Sequence, residues 1–266
     1  TKEFTSFTSS LTELREWCKS ESVTHVAMES TGVYWKPVFN ILEDGDFEII
    51  LVNARHVRNV PGHKTDKQDS QWLSKLLVSG LLKASFIPPV EIRDLRDLVR
   101  YKKKVVSQAS SEKNRIIKIL EDANIKLSSV LTSVDGAVGT KIIDDLIAGK
   151  ADINELMKHY HGKIKASKTE FRLALEGRLT KHHQFMLRVI QESIADKEKL
   201  TAKIETQIDE LAKQYSVEID LLQTIPGVAY DSAVIIISEI GADMSQFSSE
   251  EHLSSWAGMS PGNNES

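Results

Sequence analysis

Two short segments decide the architecture of the first third of the chain: Val23-Thr24-His25-Val26-Ala27-Met28-Glu29 and Phe47-Glu48-Ile49-Ile50-Leu51-Val52. Both are rich in β-branched and apolar residues, the composition of a buried strand. Between them Ser30-Thr31-Gly32 reads as a turn, Val33 to Leu42 as a helix and Glu43-Asp44-Gly45-Asp46 as a polar turn. Strand, helix and strand in that order predict a parallel pair joined by a right-handed crossover. Upstream, Phe7, Leu11, Leu14 and Trp17 recur at helical spacing. Downstream, a loop from Asn53 to Lys64 leads into a helix from about Thr65 to Leu82.

Ile87-Pro88-Pro89 ends this α/β region, because each X-Pro step disfavours helix before it. Beyond it the pattern is helical, with Leu95, Leu98, Val105, Ile116, Ile119 and Leu120 marking one long element to about Leu127. Gly136 and Gly139 interrupt it, and shorter helices are predicted over 140–178. From His183 to Tyr215 there is neither Gly nor Pro. A heptad frame puts Leu187, Ile194, Thr201, Ile208 and Tyr215 at a, and Ile190, Lys197, Ile204 and Leu211 at d. This predicts a coiled-coil hairpin or dimer arm; an ordinary amphipathic bundle helix is the alternative, favoured by the Thr201 and Lys197 defects. A last unit starts near Leu221, with a turn at Ile225-Pro226-Gly227-Val228, an apolar helix over 231–240, and a capping box at Ser248-Ser249-Glu250-Glu251.

The 266 residues, 41% hydrophobic and 27% charged, are enough for two or more packed domains. A net charge of −4 excludes a polycation, so nucleic-acid binding would have to come from local patches. One cysteine, Cys18, excludes a disulfide framework or a CxxC-type zinc site. Apolar runs stop far short of the roughly 20 residues that span a bilayer. No signal peptide is visible, and the expectation is a soluble cytoplasmic protein. The abrupt start at Thr1 and stop at Ser266 suggest that both ends are cut.

Three carboxylates could carry chemistry. Glu29 closes a predicted strand, where α/β sheets present their ligands. Asp66 and Asp69 sit at i and i+3 on a helix start, so they face one way. Such hard oxygen donors suit Mg²⁺, although acids in a first helical turn also follow from the helix dipole alone. The preceding loop is crowded with Arg55, His56, Arg58, His63 and Lys64, and Lys67 follows. Cations leading into paired carboxylates suit a phosphodiester; a solvated loop is the plainer reading. With no HxxxH spacing, His56 and His63 make poor metal-ligand candidates.

A second basic cluster spans Glu91 to Lys118, where nine Lys and Arg outnumber four acids. Arg93, Arg96, Arg100, Lys102, Lys103 and Lys104 are its candidates for nucleic-acid backbone contact. Tyr101 could stack on a base, with a place in the core the stronger expectation. Gly227 would let backbone N–H groups approach a phosphate, or would simply turn a helix corner.

Met28-Glu29-Ser30-Thr31-Gly32-Val33-Tyr34-Trp35, Lys64-Thr65-Asp66-Lys67-Gln68-Asp69-Ser70, Thr224-Ile225-Pro226-Gly227-Val228 and Ser255-Trp256-Ala257-Gly258-Met259-Ser260-Pro261 together resemble the DEDD transposases, in order and over essentially the whole chain. The resemblance implies an α/β RNase H-like (RuvC-like) domain at 1–88, a helical linker and coiled coil at 89–216, and a small, mainly helical serine transposase domain at 217–266. It implies Glu29, Asp66 and Asp69 as Mg²⁺-binding catalytic carboxylates, with the family's first aspartate upstream of Thr1. It also implies Ser266 as the nucleophile, with Ser260 as the competing candidate. The implied partners are donor and target DNA, a bridge RNA, and further copies of the chain as dimers pairing into a tetramer, in a bacterial cytoplasm at the nucleoid. A metal-only junction nuclease and a non-catalytic nucleic-acid scaffold are the alternatives.

Overall fold

The computed structural model describes residues 2–53 and 66–259. They form two compact units, one made of 1–88 with 245–266 and the other of 89–244. The described residues are predominantly helical, with two strands.

In the first unit, α1 (Thr8–Ser20) precedes β1 (His25–Glu29), α2 (Trp35–Leu42) and β2 (Glu48–Val52). The strands pair in parallel, with His25 opposite Glu48 and Glu29 opposite Val52. The connection between them is α2, whose Phe39 and Leu42 are buried. Its helix packs on α1, and Leu11, Cys18, Leu51 and Val52 are buried in the same unit. Burial pushes the Cys18 thiol up, so it behaves as a small apolar side chain. Helix α3 (Asp66–Val78) packs beside β1. The order of elements is the one expected from the apolar runs, and it is α/β. Helix α12 (Glu250–Trp256) also belongs to this unit.

The second unit is built on two long helices. Helix α4 (Val90–Asp122) has 33 residues and α9 (Lys181–Ala212) has 32, each about 50 Å long at 1.5 Å per residue. They run antiparallel. Asp122 at the end of α4 meets His183 at the start of α9 at 2.8 Å, Lys113 meets Glu198 at 3.7 Å, and Lys102 meets Glu205 at 2.9 Å. The helix start of α9 is a capping box: the Thr180 hydroxyl accepts from the His183 N–H, and His183 Nδ1 accepts from the Thr180 N–H. The other ring nitrogen, Nε2, therefore carries the proton and donates to Asp122.

Two separate apolar cores sit along this pair. At one end Ile92, Leu95, Val99 and Val105 of α4 meet Ile204, Ile208 and Ala212 of α9. Ile219 of α10 (Ser216–Gln223) and Ala233, Val234 and Ile237 of α11 (Tyr230–Ile240) close that core. At the other end Ile116 and Leu120 meet Leu187 and Ile190, and four short helices wrap them: α5 (Leu127–Val130), α6 (Ala137–Ile147), α7 (Ile153–Leu156) and α8 (Lys168–Leu175). Gly139 allows α6 to lie against its own approach loop, because a Cβ there would stand 1.9 Å from the Val134 carbonyl oxygen.

The heptad positions Leu187, Ile190, Ile204 and Ile208 are the buried stripe of α9, and α4 of the same chain covers them. Thr201 and Lys197, the two defects of the pattern, fall between the two cores. Lys197 Nζ donates there to Ser193 Oγ at 2.7 Å, and the Thr201 hydroxyl donates to the Lys197 carbonyl. A stripe already covered within the chain is not available as the seam of a dimer arm.

Phe171 is fully buried in the second of these cores, whereas Phe185 of α9 is 59% exposed. Phe171→Ala is expected to cost about 3–5 kcal/mol in urea unfolding followed by circular dichroism, and Phe185→Ala less than about 0.5 kcal/mol.

Candidate functional site

Glu29 occupies the last position of β1, half-buried, with its backbone in register with Val52. The Ser30 N–H extends the pairing by donating to the Val52 carbonyl at 2.9 Å. The chain then turns sharply: the Thr31 N–H donates to the Glu29 carbonyl at 2.9 Å, and Gly32 follows at φ +54°. The Thr31 hydroxyl donates to Glu29 Oε1 at 2.6 Å. One carboxylate oxygen is thereby oriented by a neighbour two residues on, a contact that the residue pattern did not single out.

Helix α3 begins at Asp66 and carries the half-buried Asp69 one turn later. Because α3 packs beside β1, the first turn that bears both aspartates comes from the element next to the strand that bears Glu29. Lys67 is exposed on that same turn. Among the described residues no three His, Cys, Asp or Glu side chains form a metal-binding group. The Asp66 side chain lies outside the described residues, as do Arg55, His56, Arg58, His63, Lys64, Ser260 and Ser266. The donor chemistry of Glu29 and Asp69, two carboxylates on adjacent elements, fits a hard divalent cation.

Helix α12 is held in the first unit by aromatic packing. Phe247 lies 5.9 Å from Phe86 and 5.7 Å from Trp256 between ring centroids, and Phe86 lies 6.4 Å from Trp256. These edge-on distances are the favourable range for ring pairs. The helix starts one residue later than the capping-box pattern implies. Ser249 is the N-cap, its hydroxyl accepting from the His252 N–H at 3.2 Å, while Glu251 binds back to Ser249 and its carboxyl is held low by that bond. Nothing in the spacing of the sequence links residue 86 to residue 247, so this cluster was invisible before the fold.

The basic helix α4 divides into cations with internal partners and cations that face outward. Arg96, only 16% exposed, donates to the carbonyls of Ser238 and Glu239 at 2.9 and 2.7 Å. These are end-of-helix carbonyls of α11, which a guanidinium satisfies well. Arg100 grips the Glu239 carboxylate with two bonds of 2.8 and 2.7 Å. The Arg100 fork holds the Glu239 carboxyl below its ordinary range, against a smaller opposing effect of burial. Lys102 is partly desolvated, but its bonds to Glu205 and Asp231 outweigh that and raise its pKa. Arg93 is half-buried, whereas Lys103 and Lys104 are exposed. Tyr101 is 49% exposed and faces solvent, so the expectation of a core tyrosine does not hold.

Gly227 sits at φ +90° in the turn between α10 and α11, where Val228 N–H donates to the Ile225 carbonyl at 3.0 Å. A Cβ there would meet nothing within 4 Å. The glycine is therefore required by the backbone conformation, and the turn leaves open space beside it.

Residues 1–125 match the family model DEDD_Tnp_IS110, described as transposase. Residues 219–266 match the model described as transposase IS116/IS110/IS902 family. No curated protein matches the chain.

Because the Glu239 carboxyl is depressed in the folded state, its contribution to stability is present above the ordinary glutamate range and is lost as the pH falls through the folded value. Glu239→Gln is expected to lower stability by about 1 kcal/mol at pH 7, after allowing for the solvent exposure of Arg100. The difference from the parent chain should vanish at low pH in a series of urea titrations.

Proposed function

The chain belongs to the IS110-type DEDD transposases, and on that basis we propose that it cuts and rejoins DNA through a serine–DNA phosphodiester, guided by a bridge RNA. The observation that carries the proposal is the placement of Glu29 at the end of β1 beside α3, the helix that opens with Asp66 and Asp69. An acidic set next to a strand end is a costly neighbour for a phosphate unless a cation is shared between them. A pure binding surface gains nothing from it.

The 1–88 region is proposed as an RNase H-like (RuvC-like) domain, 89–216 as the linking helical region and 217–266 as the serine transposase domain. Two parallel strands with flanking helices support the first of these assignments. The inclusion of α12 in the same compact unit as β1 and α3 supports joint action of the carboxylates and the C-terminal segment. The chain reaches Ser266 ten residues beyond Trp256, the residue that packs edge-on against Phe86 and Phe247.

In the proposed reaction Ser266 Oγ attacks the scissile phosphorus and loses its proton as the serine–phosphate ester forms. The leaving deoxyribose oxygen takes the bond pair and is protonated. Attack by a strand-end hydroxyl on that ester then releases the serine and makes the new phosphodiester, so no net bond is lost. Glu29, Asp66 and Asp69 would hold Mg²⁺, which supplies charge neutralisation at the phosphate. Thr31 orients the Glu29 carboxylate for that role. Phosphate contacts from Arg55, Arg58, Lys64 and Lys67 would precede the acidic set, with the turn at Gly227 as a further backbone approach. On α4, Lys103 and Lys104 have the exposure such contacts need; Arg93, Arg96, Arg100 and Lys102 are proposed to support binding by positioning the helix.

Exchange of four strands requires paired active sites, so dimers assembling into a tetramer are proposed on symmetry. Among the described residues no helix is long and apolar enough to cross a membrane.

Ser266→Ala is expected to abolish covalent protein–DNA adducts and recombination, and Asp69→Asn to reduce both by at least about 100-fold. Retained cleavage by Ser266→Ala would establish a metal-only nuclease. Activity unaffected by Asp69→Asn or Glu29→Gln would establish a scaffold. Extraction of RNA from the purified protein should yield one discrete species.

A further inference from the structure

The outward face of α4 carries a pattern that the individual candidate residues do not exhaust. Between Leu98 and Glu121 there are seven cations, and the one acid is Glu112. The buried face of the helix is set by Ile92, Leu95, Val99, Val105, Ala109, Ile116 and Leu120. At 100° per residue, Lys104, Ser107, Gln108, Ser111, Arg115 and Lys118 fall on the opposite side, and all six are exposed. Lys103 lies at its edge, also exposed.

Apart from Arg100, which is bound to Glu239, the cations on this face come in two pairs. Lys103 and Lys104 form one, Arg115 and Lys118 the other, and their centres are separated by about 20 Å along the helix axis. Arg115 has an i,i+3 pair with Glu112 at 3.2 Å, but its side chain is 65% exposed, so that pair is weak and exchangeable. Between the two pairs the surface is low. Ser110 and Ser111 turn their hydroxyls back onto the carbonyls of Val106 and Ser107 at 3.1 and 3.0 Å, and the longer side chains on this side are Gln108 and Asn114.

We infer that this face of α4 lies across the major groove of a DNA duplex, with Lys103 and Lys104 on the phosphates of one strand and Arg115 and Lys118 on those of the other. The dimensions favour it. A major groove of B-form DNA is about 12 Å wide between its phosphate walls, and the helix must reach past both walls to touch phosphate oxygens. Two flexible cationic side chains at each end, leaning inward from about 20 Å, meet that span. The serine-lined middle lets the helix approach without a bulky side chain blocking the groove. A single strand has no second row of phosphates at this distance, so it would satisfy one pair at a time. The deep, narrow major groove of A-form RNA does not admit a helix in this way, so the spacing commits this face to B-form DNA.

This inference rests on the reading of the chain as a nucleic-acid enzyme, and it extends that reading to Arg115, Lys118 and the serines between the pairs. The test is binding of the full 266-residue chain to duplex DNA, duplex RNA and single-stranded DNA of matched length, by fluorescence anisotropy over a range of salt. Lys103→Ala/Lys104→Ala and Arg115→Ala/Lys118→Ala should each weaken binding to duplex DNA roughly tenfold. Each should also flatten the slope of log affinity against log salt by about 1.8, two contacts at about 0.9 each. The same effects on duplex RNA and not on duplex DNA overturn the assignment to DNA. Arg115→Lys/Lys118→Arg should bind like the parent, which separates loss of charge from loss of fold, and circular dichroism should superpose for all variants. Duplex binding by the parent with an unchanged slope in Arg115→Ala/Lys118→Ala overturns the two-sided contact while leaving the enzyme reading intact. Equal losses on single-stranded DNA overturn the duplex assignment. A parent chain that binds none of the three overturns both.

Discussion

The second unit depends on one contact, the antiparallel packing of α4 on α9. Each helix is about 50 Å long, and an isolated helix gains little from its own hydrogen bonds in water. Burial of a shared apolar stripe is what holds them straight and in register. The stripe is not continuous: it is two cores separated by the polar stretch around Lys197 and Thr201. The lateral ion pairs Lys113–Glu198 and Lys102–Glu205 and the part-buried His183–Asp122 bond set the register along the length. Each core then recruits its own short helices, α5 to α8 at one end and α10 with α11 at the other.

That division explains how charge is used on α4. A chain of net −4 is a poor advertisement for nucleic-acid binding, yet the balance conceals a helix with seven cations and a single acid over most of its length. Some of those cations serve the fold. Arg96 and Arg100 tie the end of α11 to α4 through the Ser238 and Glu239 carbonyls and the Glu239 carboxylate. Their loss would disturb α11 before it disturbed any ligand. Others, such as Lys104 and Lys118, project from the side away from α9. A lysine or arginine count cannot separate the two groups, since both have the same residue types at adjacent positions.

The first unit shows a comparable economy. A parallel pair of strands brings Glu29 to one end of the sheet, and the neighbouring helix begins with the aspartates. The aromatic cluster of Phe86, Phe247 and Trp256 joins the C-terminal segment to this unit through residues far apart in the chain. Family membership follows from two matches that fall on 1–125 and 219–266, and the intervening helices carry neither motif.

The sequence by itself determined the elements: the apolar runs at 25–29 and 48–52, the heptad stripe of α9, the proline pair ahead of α4 and the four motifs that carry the family resemblance. These are local properties, since periodicity and backbone restriction act within a few residues. Partners were decided only by the tertiary structure. That α4 covers the heptad stripe, that Thr31 orients Glu29, that Tyr101 faces solvent and that Phe86 meets Phe247 all depend on which faces approach one another. Spacing along the chain says which residues share a face, but packing free energy, summed over the whole molecule, chooses what that face meets.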